Sequence, residues 1–277
     1  MQHRTFLEFK RYRYLKLATA LALLSLLAYA LHRPESGPYG GTWLGYVFGI
    51  TGALIILLLL WFGVRKRQYR HAEGSLLGWL SAHVSLGAAL IVVVTLHTGF
   101  EFGWNVHTLA YVLMLAVIAS GCYGVYAYLR LPRLMTDNLG EDMLSTLLLK
   151  IADQDNQARR IAMQMPNEIN AAVLAASLHT RIGGNLVQQF SGRQAHCPTA
   201  AVVLQVQERG ASLEGDAAAS NRALYSVLLQ KQALLKRARR QVMYKARLDL
   251  WLIIHVPLAL GLLAALIAHV VSLYFYW

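Results

Sequence analysis

The sequence predicts an all-α fold: a polytopic membrane helix bundle of about five transmembrane helices, with a helical cytoplasmic insert. Three observations carry this. The 277 residues are 56% hydrophobic and only 14% charged. The apolar residues gather into long runs instead of spreading as they would in a soluble core, and mean hydropathy is positive. The basic residues collect between alternate runs.

Taken in order, the runs are 17–31, 43–64, 76–96, 108–129 and 250–274. Each comes close to the roughly 17–25 residues that a spanning helix requires. The first is the shortest, and the aromatic-rich stretch before it can lengthen it. Its basic start, apolar core and Ala28-Tyr29-Ala30 together look like a cleavable secretory signal; we read it as a retained signal-anchor span. The chain thus divides into spans one to four (1–133), a cytoplasmic helical insert and stalk (134–249), and the fifth span (250–277).

Within the insert, 142–165 is periodic and ends at Pro166, and 167–181 continues to the Gly183-Gly184 break. A looser segment follows, from Ser191 to Pro198, before a helical run resumes near Val202. From Ala217 to Asp249 neither Gly nor Pro interrupts the chain, so a stalk is expected to run straight into the fifth span. The basic residues Lys236, Arg237, Arg239, Arg240, Lys245 and Arg247 crowd its end. Such a run can attract anionic lipid or an acidic partner, but a solvated face that holds the insert inside is the plainer reading.

The basic residues also orient the bundle. Alternating sides along five spans places 25 of the 26 Lys and Arg on one face, Arg33 being the exception. By the positive-inside rule that face is the cytoplasm. Tyr274-Phe275-Tyr276-Trp277 then ends on the opposite face as an interfacial aromatic anchor. The net charge of +12 follows from this topology and implies membrane lipid, and no nucleic acid, as a partner.

Four histidines interrupt the most apolar runs. His83 and His97 are fourteen residues apart, and so are His255 and His269. On a helix, fourteen steps return to within about 40° of the starting direction after a rise of roughly 21 Å. Each pair therefore shares one face of its helix, with one imidazole near each end of the hydrocarbon core. Ionisable residues at that depth are costly and mark function. The third and fifth spans run in the same direction, so His83 matches His255 in depth and His97 matches His269. Two such helices side by side offer two stacked sites of two imidazoles, the arrangement that two bis-histidine b haems need. For a single histidine, packing at a helix interface would be an equal reading; the repeated spacing argues against it.

Glycine can let a flat macrocycle approach a helix backbone. Gly87, one turn after His83, is a candidate haem-facing position, and Gly99, Gly103 and Gly261 lie near the other ligands. Gly45, Gly49, Gly52, Gly121 and Gly124 are read as helix-packing residues. His107, beside Trp104 and Asn105, can contact a haem propionate, a quinone headgroup or a partner, or be an ordinary interfacial histidine. Arg130 and Arg133 can pair with propionates, though charge bias alone accounts for them. His32 and His71 border spans; His3, His179 and His196 carry no assignment.

Missing motifs narrow the chemistry. Cys122 in a span and Cys197 in the insert cannot form a structural disulfide across a membrane, and two cysteines cannot hold an iron–sulfur cluster. No Cys-x-x-Cys-His attaches a c-type haem, and neither a dinucleotide fingerprint nor a P-loop is present. A chain of this kind must take electrons from one redox partner and pass them to another.

The segment from His83 to Pro132, including Leu96-His97-Thr98-Gly99-Phe100 and Tyr126-x-Tyr128-x-x-x-Pro132, resembles bacterial integral-membrane dihaem b-type cytochromes. So does Trp251-x-x-x-His255-Val256-Pro257-Leu258 through Ala268-His269-Val270-Val271-Ser272. In ligand layout these segments are similar to the membrane domain of ferric reductases. The resemblance covers roughly a third of the chain. It implies two b haems, His83 with His255 and His97 with His269, in a bacterial cytoplasmic membrane. It also implies transmembrane electron transfer beside a c-type cytochrome or iron–sulfur partner, with quinone as a further partner. The chain departs from ferric reductases in lacking a flavin and nucleotide domain and in its long insert between the ligand helices. A different class stays open: a non-redox membrane scaffold whose insert docks partner proteins, with the histidines as packing or proton-relay groups.

The charge division yields a direct test of topology. Protease added to intact cells should leave the insert around Cys197 uncut. Cleavage there in intact cells, with protection in inverted vesicles, would reverse the orientation.

Overall fold

The computed structural model describes residues 8–35, 37–67 and 76–275, without the side chains of 64–67, 76 and 274. It contains α1 (Arg13–Leu31), α2 (Trp43–Arg67), α3 (Leu76–Thr98), α4 (Val106–Leu139), α5 (Leu144–Ala162), α6 (Asn167–His179), α7 (Leu186–Ser191), α8 (Pro198–Gly210) and α9 (Gly215–Phe275). No strand occurs among the described residues. Five helices are long and apolar enough to cross a membrane, so the chain is an all-α, multi-pass membrane protein. Without water to satisfy backbone groups, a spanning segment must bond its own N–H and C=O groups, and the helix does so within one segment.

The residues form two compact units. One holds the described residues up to Tyr123 together with those from Ile253 onward; the other is Gly124–Leu252.

In the first unit, α3 is packed against both α1 and α2. Leu44 and Phe48 of α2 meet Val93 and Leu96 of α3, with Leu21, Ala28 and Tyr29 of α1 against them. A second layer joins Ile55 and Ile56 of α2, Leu90 of α3, Met114 of α4 and Leu262 of α9. Ser81 and Ser85, both buried, add small side chains of the kind that lets membrane helices approach. The turn between α3 and α4 needs Gly99, whose φ of +58° places a bare Cα against the Pro38 carbonyl. Asn105 caps α4 by accepting from the Thr108 amide at 2.9 Å. Thr95 gives its proton to the Ile91 carbonyl (2.6 Å), so the Tyr111 hydroxyl, at 3.0 Å, donates to Thr95 and ties α4 to α3.

The second unit has its own hydrophobic core. Ala158, Ala162, Ile169, Val173, Ala176, Val202, Val203, Val206, Leu224 and Leu228 bring α5, α6, α8 and α9 together. Leu147, Ile151, Leu235 and Ala238 form a smaller cluster between α5 and α9. Between these clusters lies Lys231, 1% exposed. Its ammonium pairs with Asp155 of α5 and donates to the Ala176 carbonyl of α6 at 3.4 Å.

Three features differ from the sequence reading. α4 continues through Pro132 to Leu139, because Leu131 is buried and the helix stops only at Gly140, whose φ is +60°. A short helix, α7, started by an Asn185–Gln188 capping box, precedes the loose segment, and α8 begins at Pro198, four residues before Val202, an N-terminal position where a missing N–H costs nothing. The basic run of α9 is partly structural. Arg237 donates to the Asn138 and Leu139 carbonyls at 3.1 and 2.8 Å and so satisfies the end of α4. Arg239 donates to the Arg181 carbonyl at 2.9 Å, and Arg247 to that of Phe190 at 3.2 Å.

Lys231 supplies a stability prediction. Asp155→Ala leaves a buried ammonium without its counter-charge and should destabilise the chain by about 3 kcal/mol or more. Asp155→Leu combined with Lys231→Met should recover most of that loss. Thermal unfolding of the purified protein measures both, and a neutral Asp155→Ala would remove the ion pair from the account.

Candidate functional site

The sequence places histidines on two helices of the first unit, and the fold arranges them in two tiers. His83 and His97 lie on α3, His255 and His269 on α9. At one tier the ring centroids of His97 and His269 are 6.0 Å apart, with their planes at 81°. At the other, His83 and His255 lie close enough for a charge on one to act on the other. The helices therefore bring together the residues that the spacing matched in depth.

An apolar layer separates the tiers. Leu90 lies seven residues from each histidine of α3, and Leu262 lies seven from each histidine of α9. Seven residues are two turns, so these leucines share the histidine face of their helices. They pack with Met114, Ile55 and Ile56.

Each imidazole also contacts a neighbouring helix. The Nδ1 of His97 donates to the Gly45 carbonyl of α2 at 2.8 Å. A carbonyl only accepts, so this bond puts the proton on Nδ1 and leaves the lone pair on Nε2. α2 can come this near because of its glycines. A Cβ on Gly49 would stand 2.8 Å from His97 Cε1, closer than real contacts allow. Fourteen residues further along α2, the Leu59 carbonyl faces His83, and the Phe62 ring lies 5.0 Å from that imidazole. His83 Nδ1 is buried with no hydrogen-bond partner among the described residues.

On the other side, α4 meets α9. Ser120 Oγ lies 2.8 Å from His255 Nδ1, and Gly121 leaves room for the same ring, a Cβ there standing 3.6 Å from His255 Cε1. His107 Nδ1 is hydrogen-bonded to His269 Nδ1, with ring centroids 4.5 Å apart and planes nearly perpendicular.

The remaining candidates are placed elsewhere. Gly87 faces Leu59, with 4.0 Å between a Cβ and the nearest methyl, and Gly261 has nothing within 4 Å. His32 meets the Trp43 ring edge-on at 5.3 Å. Arg130 and Arg133 are exposed on α4. His179 ends α6, and His196 lies between α7 and α8. Cys122 is exposed and Cys197 buried. His3 and His71 lie outside the described residues. Sequence reasoning left three contacts unassigned: Ser120, the His107–His269 pairing, and Gly49 as the seat of His97. The signal for them is register, since α4 antiparallel to α9 places 107 opposite 269 and 120 opposite 255.

Among the described residues, no group of three or more His, Cys, Asp or Glu is placed to hold a metal ion by itself. A tier offers two imidazole nitrogens, which could together hold a metal that brings further ligands of its own. No protein-family model, curated protein or solved structure matches this chain.

The two glycines separate a tight site from an open one. Gly49→Ala should push His97 out of place at a cost of about 1–3 kcal/mol. Gly87→Ala should be neutral, or stabilising by up to about 1 kcal/mol, as alanine is the better helix former. Thermal midpoints of the two variants check this, and equal destabilisation of both would contradict the packing described.

Proposed function

We propose that this chain is the membrane-embedded electron-transfer subunit of a bacterial cytoplasmic-membrane system. It would hold two b haems, one between His83 and His255 and one between His97 and His269. When bound, haem iron cycles between ferrous and ferric states and so accepts and releases one electron at a time.

The observation that carries this reading is the matched register of two imidazole pairs on α3 and α9, two turns either side of an apolar layer. The His97 and His269 rings lie 6.0 Å apart, centroid to centroid, so one bound group could be held by both. The chemistry of the donors fits too: His97 keeps its proton on Nδ1 through Gly45, which presents Nε2 as a neutral ligand. The orphaned Nδ1 of His83 belongs to a buried polar ring whose place in an apolar bundle calls for a function. The Leu90–Leu262 layer keeps water from linking the tiers.

In this reading the N-terminus and the insert are cytoplasmic. The His83–His255 tier lies near the cytoplasmic face, and His97–His269 near the opposite face. The chain takes electrons from a quinol or cytoplasmic donor and passes them to a c-type cytochrome or iron–sulfur protein, or works in reverse.

Purified protein should show a reduced-minus-oxidised b-type spectrum with about two haems per chain. His83→Ala or His255→Ala should remove one haem, and His97→Ala or His269→Ala the other. If His83→Ala and His269→Ala deplete the same haem, the pairing is wrong. In vesicles with a trapped acceptor and an external impermeant reductant, wild type should transfer electrons and His97→Ala should not. A colourless protein would leave the scaffold reading in the lead.

A further inference from the structure

We infer that α4 is a positioning helix for both proposed ligands on α9, acting through Ser120 at His255 and through His107 at His269. This rests on the haem reading above and assigns residues that the reading does not use.

The register comes first. Ser120 and His107 are thirteen residues apart on α4, and His255 and His269 are fourteen apart on α9. The helices pair with opposite polarity, since the later residue of α4 meets the earlier residue of α9. One helix thus supplies a polar partner at each tier. Between them Met114 joins the apolar layer that separates the tiers, so α4 repeats the polar–apolar–polar order of the ligand helices.

At His255 the single proton of the Ser120 hydroxyl sets the direction of the bond. Ser120 Oγ lies 2.7 Å from the Val117 carbonyl and 2.8 Å from His255 Nδ1. A hydroxyl has a single proton, and the carbonyl can only accept. Ser120 therefore donates to Val117 and accepts from His255, which puts the imidazole proton on Nδ1 and the lone pair on Nε2.

At His269 the partner is another imidazole, and one of the two Nδ1 atoms must donate. Ligation through His269 Nε2 requires the proton on His269 Nδ1. His107 Nδ1 is then the acceptor, and His107 carries its own proton on Nε2. The outer nitrogen of a metal-bound histidine normally has such a partner, which sets the tautomer and the ring plane. On α3 that role falls to backbone: the Gly45 carbonyl serves His97. Substitution cannot remove a carbonyl, so Ser120 and His107 are the side chains through which the two tiers can be altered separately.

The test uses the full-length purified protein. It measures haem retention on dilution, low-temperature EPR of the oxidised protein and the midpoint potential of each haem. Ser120→Ala should change the EPR signal of the His83–His255 haem alone, and His107→Ala that of the His97–His269 haem alone. Retention at the affected tier should fall roughly 10–100-fold. His107→Asn, whose amide oxygen stands near the place of Nδ1, and Ser120→Thr should restore both readouts. Merely structural residues would lower stability without changing one haem's spectrum. Unchanged signals in both alanine variants, or the same change at both haems, would overturn the inference while the wild-type spectrum still upholds two haems. A colourless wild-type protein would overturn the inference and the haem reading together.

Discussion

An imidazole inside an apolar helix bundle is costly unless the protein itself offers it a polar partner, because lipid offers none, and His97, His255 and His269 each have one. Much of the first unit follows from that constraint. α2 lies close to α3 because Gly49 leaves room for the His97 ring and the Gly45 carbonyl accepts from it. α4 carries Ser120 and His107 at the spacing α9 needs. The Asn105 cap fixes where α4 begins. Moving α4 by one residue along its axis would turn both partners away by about 100°.

The same constraint explains why the interior is divided. A continuous polar column would need a chain of partners or water across the hydrocarbon region. Leu90, Met114, Leu262, Ile55 and Ile56 instead fill the middle, so the polar groups stand in two separate groups. Under the proposed function, this layer gives each haem its own ligands and its own tuning residues.

The second unit meets a different demand. Its helices bury a core of small and branched side chains. Lys231 sits within that core only because Asp155 and the Ala176 carbonyl receive its protons. Basic residues that a charge rule assigns to topology also do local structural work: Arg237 closes the end of α4, and Arg239 and Arg247 hold carbonyls of neighbouring connections. One side chain can serve both purposes, because its charge acts over a Debye length while its hydrogen bonds act only at contact.

The five spans, the helical insert and the matched depths of His83, His97, His255 and His269 were legible in the sequence. Hydropathy, charge and helical period are local properties that a single segment carries with it. The tertiary structure alone decided that Gly49 seats His97, that Ser120 and His107 meet the α9 histidines, and that α4 and α8 begin or end where they do. The bonded partners of His97, His255 and His269 lie 52, 135 and 162 residues away. Such contacts depend on how each helix is rotated and shifted against its neighbours. Side-chain packing across the whole bundle sets that register, and no single segment contains it.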